Sequence, residues 1–285
     1  MTGKNSVVGV DLGGTNIRAG RVKEGRIEKI IEVLTPDNPQ TAQETIDKLI
    51  NTIQAAFTED IQAIGIGVPS VVDRKKGIVY NVVNIPHWDE IPLKEILEKH
   101  FAVPVCVDND ANCFALGERC YGAGMDFENF VGLTLGTGLG GGIIQQGNLL
   151  DDANCGSGEF GMIPYKDQIL EYYCSGSFFQ NIYQVNGKEM YRRAQNGDPY
   201  ALEAYEQLGY HIAQAIQIVM YTLDPEMIIL GGSVAAAHPY FEDWMWHHLK
   251  QFAYPKSVER LQIRFSKLQN SGILGAAAIA LSKSN

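Results

Sequence analysis

The chain is short of several features that would mark a functional class. No apolar run approaches the roughly 20 residues needed to cross a bilayer. The opening stretch MTGKNSVVGVDLGG does not read as a signal peptide, because its short apolar segment meets Asp11 at once. A cytoplasmic protein with no membrane partner is expected. Basic residues are in the minority, with 23 Lys and Arg against 33 Asp and Glu and a net charge of −10. That balance argues against a nucleic-acid or anionic-membrane surface. It leaves room for a phosphate ligand, because a glycine loop binds phosphate through local N–H groups. The cysteines, Cys106, Cys113, Cys120, Cys155 and Cys174, are odd in number and form no CxxC pair. Reduced thiols are expected rather than a disulfide framework or a metal site. No GxxxxGK[ST] occurs, which excludes a P-loop. Low-complexity linkers are missing too.

What the chain does carry is a repeat built on glycine. Residues 131–147, VGLTLGTGLGGGIIQQG, can be laid over residues 8–25, VGVDLGGTNIRAGRVKEG, with one gap. Gly9 falls on Gly132, Leu12 on Leu135 and Gly13 on Gly136. Each block reads as apolar strand, glycine turn, second strand, short turn and third strand, which predicts two related halves. Elsewhere strands alternate with helices. TAQETIDKLINTIQAAF puts Ile46, Leu49, Ile50 and Ile53 on one helical face. IQAIGIGVP, VPVCVDND, EMIILGGS and RLQIRF read as strands. LKEILEKHF, ANCFALGERCYG and GILGAAAIAL read as helices, and a long helix runs from Asp198-Pro199 to a stop at Pro225. The alternation predicts an α/β fold with a parallel or mixed sheet. Residues 151–175 are the least regular.

The glycines admit more than one use. GTGLGG, residues 136–141, matches GxGxxG after a strand, but a dinucleotide fingerprint needs a helix next. Here GIIQQGNLL follows, β-branched and turn-bound, so a hairpin is expected. Two glycine hairpins could bring backbone N–H groups to a polyphosphate, one per half, with Gly138 close to phosphate. Alternatively the glycines serve only the turns. Acids recur at strand ends: Asp11, Asp108 and Asp110. Asp110, in VDNDAN, suits a helix N-cap or a general base at the C-terminal end of a strand. Asp11 could cap its own turn or hold Mg2+, directly or through water.

Taken together, these motifs resemble the ROK sugar kinases of the actin-like, hexokinase-type ATPase superfamily. DLGGTNIRAG resembles that family's first phosphate loop and LGTGLGGG its second. LGGS and GILGAA resemble its adenosine-binding segments. The resemblance therefore implies that Asp11, Gly13, Gly14, Thr15, Asn16, Thr137, Gly138, Gly231, Gly232 and Gly275 bind ATP with Mg2+. VDNDAN resembles the catalytic motif, with Asp110 as base and Asn109 as sugar ligand. NIPHW, GSGEFG and LEYYCSG resemble sugar-binding segments and supply Asn84, Glu159 and Glu171. The matches run in family order from residue 7 to residue 278. They imply two actin-like (ribonuclease H-like) α/β domains around a deep cleft, one spanning 1–108 with 271–285 and the other 109–270, in a homodimer.

The implied reaction is transfer of the ATP γ-phosphoryl group to a glucose-like hexose, at O6. Other sugars, namely N-acetylmannosamine, N-acetylglucosamine, allose or fructose, stay open, as does a non-catalytic sugar sensor. A repressor would carry a winged helix ahead of the first phosphate loop, for which residues 1–10 leave no room. The sequence departs from the family at one point. Members carry Gly-Glu-x-Gly-His and then a cysteine cluster, whereas here the His position is Met162 and the cluster is missing. No zinc is expected; an apolar plug with Met162 filling the His volume would hold the loop instead. Cys106, Cys113 and Cys120 read as buried packers, and His247-His248 beside Trp244 and Trp246 as a surface or interface patch.

Overall fold

The computed structural model describes residues 6–282. Their contacts fall into two compact units. One takes the chain up to Met125, Leu149–Ser157 and the chain from Leu268; the other takes Asp126–Asn148 and Gly158–Lys267.

The first unit grows from the N-terminal block. Strands β1 (Ser6–Leu12), β2 (Asn16–Lys23) and β3 (Arg26–Leu34) form an antiparallel meander. On its other side β1 pairs in parallel with β4 (Ile61–Val68), and β4 with β5 (Val105–Asn109), giving the order β3-β2-β1-β4-β5. Helices Ala42–Ala56 and Leu93–Phe101 cover one face. Ile46, Leu49, Ile53 and Leu97 are buried there with Val8, Val10, Ile64 and Ile66. Each such side chain contributes about 1.5–3 kcal/mol by leaving water.

The opposite face takes helix Ser271–Ser282, whose Ile273 and Ala277 pack on Val7, Val22 and Ala63. Here backbone meets backbone. A Cβ on Gly9 would stand 2.1 Å from the Ile273 carbonyl oxygen, and one on Gly65 would stand 1.8 Å from that of Ala276. Glycine is what lets this helix lie on the strands. Helix Asp110–Tyr121 joins the same layer, with Cys113 packed among Cys106, Ala276 and Ile279. That packing carries residues 109–125 into the first unit, so the break expected after residue 108 falls after Met125.

The second unit repeats the plan. Strands β6 (Phe130–Leu135) and β7 (Leu139–Gln145) are antiparallel, and β8 (Asn148–Leu149) follows at the edge. Strand β6 pairs in parallel with β9 (Met227–Gly231), and β9 with β10 (Gln262–Phe265), for the order β8-β7-β6-β9-β10. The order and directions are those of the first sheet. Strands β1 and β6 end on the aligned residues Leu12 and Leu135, and each is followed by a three-residue turn, Gly13–Thr15 or Gly136–Gly138. Helix Pro199–Leu223 starts as the sequence predicts. The Asp198 side chain accepts from the Tyr200 N–H and Pro199 occupies the first turn. Its Leu208, Ile212, Ile216 and Val219 are buried, and helix Glu242–Leu249 packs against it.

Candidate functional site

In the first unit the β1–β2 turn is held from beneath. The Gly13 N–H donates to the Asn16 carbonyl at 2.9 Å, and the Thr35 hydroxyl donates to the Gly13 carbonyl at 2.7 Å. Gly14 and Thr15 form an exposed tip. Asn84 lies against that tip, since a Cβ on Gly14 would come within 2.7 Å of the Asn84 Cβ. Asp11, at the end of β1, is half-buried and paired with the Arg18 guanidinium of β2.

At the VDNDAN corner Asp110 is not the helix N-cap. The N-cap of helix Asp110–Tyr121 is Asn109, whose Oδ1 accepts from the N–H groups of Ala111 (2.8 Å) and Asn112 (3.3 Å). Its Nδ2 donates to the Ser70 carbonyl at 3.1 Å. Asp110 is the first helical residue, half-buried, with Oδ1 2.8 Å from the Ala111 nitrogen. Asp108 is 3% exposed. Its Oδ1 accepts from the Asn109 N–H and the Asn112 side-chain amide, both at 2.8 Å. Asp108 thus shapes the corner, a role that its place at a strand end did not specify.

Arg74 completes this region, and nothing in DRKK singles it out from a solvated charge run. Its guanidinium reaches Asp108 at 3.7 Å, Asp152 at 3.0 Å and the Leu150 carbonyl at 2.9 Å. It thereby ties residues 149–157 to the end of β5.

In the second unit a cavity of about 450 Å³ opens beside the β6–β7 turn. Gly136 and Thr137 line it from that turn, and Ser233 and Val234 from the turn after Gly231-Gly232. The second turn is docked by the Val234 N–H, which donates to the Leu135 carbonyl at 2.9 Å, and Gly232 there has φ +88°. Phe179, Tyr191 and Tyr205 supply an aromatic wall and Lys188 a cation. These residues carry no motif, so sequence reasoning did not single them out.

Glu171 stands next to the same turn. Its Oε2 accepts from the Leu139 N–H at 2.9 Å, and a Cβ on Gly138 would fall 2.4 Å from that oxygen. Burial, then the Glu171 charge, pushes the Glu159 carboxyl above its ordinary range. Two acids predicted from separate motifs are therefore electrostatic neighbours.

Other expectations change. Met162 is 60% exposed, so it fills no buried volume; the chain turns it outward in the short 3-10 turn Phe160–Met162. Cys106 and Cys113 are buried, whereas Cys120, in the last turn of its helix, is exposed. Gly275 sits in the first unit, where a Cβ would come within 1.6 Å of the Cys113 carbonyl oxygen. Close helix packing accounts for the glycine there. Among the described residues no three His, Cys, Asp or Glu side chains come together as a metal site. Asp11 offers one carboxylate already engaged by Arg18, a donor set that suits contact with hydrated Mg2+ rather than direct ligation.

The model of the ROK family matches residues 7–283. The chain belongs to the ROK family. This ROK protein is 30% identical over 310 residues to a glucokinase of Thermotoga maritima, with 97% of each chain covered. It is 28% identical to a β-glucoside kinase of Listeria innocua, with 98% of each covered. Among solved structures it resembles a ROK family glucokinase from Streptomyces griseus in complex with glucose and AMPPNP. The TM-score is 0.85 at 30% identity, over 98% of this chain and 100% of that one. The duplicated α/β units are thus those of the actin-like ATPase type that the motifs imply.

Proposed function

We propose that this ROK protein is an ATP-dependent sugar kinase that transfers the γ-phosphoryl group to O6 of a glucose-like hexose. Asp110 accepts the O6 proton as the oxygen attacks phosphorus. The new O–P bond forms while the bond from phosphorus to the β–γ bridging oxygen breaks, and ADP leaves. Because phosphoryl transfer depends chiefly on positioning and electrostatics, the protein's main task is to hold the two substrates. The observation that carries the base assignment is that the helix cap falls to Asn109, so capping does not account for Asp110.

The cavity beside Gly136–Gly138 receives the nucleotide, with the purine against Phe179 and Tyr205 and the phosphates toward the glycine turn. In the other unit the turn Gly13–Thr15 offers N–H groups to phosphate. Asp11 would be the residue to hold hydrated Mg2+ brought with the nucleotide, which would offset phosphate charge. Asn84, Glu159 and Glu171 bind sugar hydroxyls, and the remaining Asn109 amide hydrogen is available for another. Zinc plays no part. An ATP donor fits a cytoplasmic enzyme, and the expected homodimer is read by light scattering.

The test is a coupled ADP-release screen with glucose, fructose, allose, N-acetylated amino sugars and β-glucosides, followed by phosphorus NMR of the product. Hexose-dependent ADP release with phosphate on O6 is expected. ATP turnover unaffected by every sugar would overturn the reading.

A further inference from the structure

The two acids of the second unit sit at opposite ends of a segment that has little structure of its own. Between Glu159 and Glu171 the chain makes a minimal hairpin, in which Pro164 pairs with Ile169 and Tyr165 with Gln168. Two pairs of residues do not hold a hairpin in water. Lys166, at the turn, has φ +54°. Something outside the segment must therefore hold it.

What holds it is helix Pro199–Leu223. The Tyr165 hydroxyl lies 3.1 Å from Nδ1 of His211, a side chain only 3% exposed near the middle of that helix. The two rings meet edge to face at 5.7 Å. Tyr173, two residues beyond Glu171, packs at 5.5 Å from Tyr165 and 4.9 Å from His211. Its hydroxyl donates to Asp167 in the hairpin turn. The Lys166 ammonium lies over the rings of Tyr173, Tyr210 and Tyr165 at 5.1, 5.6 and 5.8 Å. The Cys174 thiol donates to the His211 carbonyl at 3.2 Å, and the Leu170 N–H to the Ile163 carbonyl at 2.9 Å. The hairpin and the helical turn that carries Glu171 are thus both tied to one turn of one long helix.

We propose that the Tyr165–His211 contact is the strut that sets where Glu159 and Glu171 stand, which makes Tyr165 and His211 positioning residues for the sugar. The assignment of the acids to sugar rests on the function proposed above; the strut itself does not. Its lever is short. Glu171 follows the hairpin directly, and its carboxylate bonds the Leu139 N–H that opens β7. If the hairpin lifts from the helix, the first hydrogen bond to loosen is that one. The Leu139 amide proton therefore reports the setting of Glu171 whether or not sugar is present.

The experiment compares Tyr165→Phe, His211→Phe, the double variant and His211→Gln with the wild-type protein. Tyr165→Phe keeps the ring and loses only the hydroxyl, and His211→Gln keeps a polar group where His211→Phe has none. We expect Leu139 amide exchange, followed by NMR, to quicken at least about tenfold in each Phe variant. The double variant should add less than the sum of the two, because both changes cut the Tyr165–His211 hydrogen bond, while Tyr165→Phe alone also removes the tyrosine's hydrogen bond with Tyr210. His211→Gln should recover part of the protection. In turnover, the sugar KM should rise about fivefold or more while the ATP KM stays within about twofold. Unchanged Leu139 exchange, additive effects, or equal rises in the two KM values would overturn the strut. A wild-type protein that ignores every hexose would overturn the sugar assignment instead, leaving Leu139 exchange as the reading of the strut.

Discussion

Gly138→Ala is the sharpest perturbation that the site permits. The motif alone aims this residue at phosphate, but in the structure the added methyl would stand 2.4 Å from Oε2 of Glu171 and 3.2 Å from its Cδ. Ordinary contact begins roughly 1 Å farther out. The carboxylate must retreat by about that much, which breaks its 2.9 Å hydrogen bond from the Leu139 N–H. Hydrogen bonds to charged groups are worth about 1.5–3 kcal/mol, or a factor of about 10 to 150 in an equilibrium. If sugar is bound by Glu171 in its present setting, Gly138→Ala should weaken sugar binding about ten- to hundredfold. The nucleotide should lose less, since the methyl points at the acid. Calorimetry with the sugar identified in the screen and with a non-hydrolysable ATP analogue measures both. Repeating the pair in a Glu171→Ala background isolates the coupling, where the glycine change should cost sugar affinity almost nothing. Sugar affinity within twofold of wild type in a folded Gly138→Ala protein would refute the reasoning, as would an equal loss without Glu171.

Asp110→Asn preserves shape and should lower kcat at least about a hundredfold, the usual scale for a general base, with the thermal midpoint unchanged; near-normal turnover removes Asp110 from the role. His211 makes folding pH-dependent. Burial, then the Lys166 charge, pulls it down to about 4 from an unfolded value near 6.5, among facing groups that include Tyr165, Tyr173 and Tyr210. Below pH 6.5 the unfolded chain takes a proton that the folded chain refuses until about pH 4. This contribution is therefore complete above pH 6.5 and falls by about 3 kcal/mol as pH drops through that window. Urea titrations at pH 7 and 4.5 should show His211→Phe losing about 2–3 kcal/mol less than wild type between the two; an equal loss would count against a neutral His211. Purified enzyme should carry no stoichiometric zinc and keep its activity after a zinc-selective chelator once Mg2+ is resupplied, whereas one tightly held zinc per chain in elemental analysis would contradict this.

Much of this was legible because glycine and periodicity are local signals. The overlay of residues 8–25 on 131–147 anticipated two related halves, and the aligned leucines do end β1 and β6; that the two sheets share one strand order is what the structure adds. Asp198-Pro199 marked the start of the longest helix because capping is written within a few residues. What stayed hidden depends on distant partners. That the missing side chain of Gly275 makes room for the Cys113 carbonyl is one such case, which nothing in GILGAA announces. Met162 was assigned a buried volume from its place in a motif, and the turn that exposes it has no signature. Arg74 and His211 act through partners dozens of residues away. Nor could Asn109 and Asp110, adjacent acceptors at one helix start, be sorted into cap and first helical residue without the backbone angles.

The helix that lies on Gly9 and Gly65 comes after every other described element in chain order. Strands β1 to β5 are finished some 160 residues earlier in synthesis, but before Ser271–Ser282 emerges one face of their sheet has only helix Asp110–Tyr121 in its covering layer. The second unit lies between, and all its strands precede that helix. The half of the enzyme begun first is consequently the half completed last, and through the intervening elongation it exposes Val7, Val22 and Ala63. A purified chain truncated after residue 268 should be cut by protease within residues 6–125 and spared within the second unit.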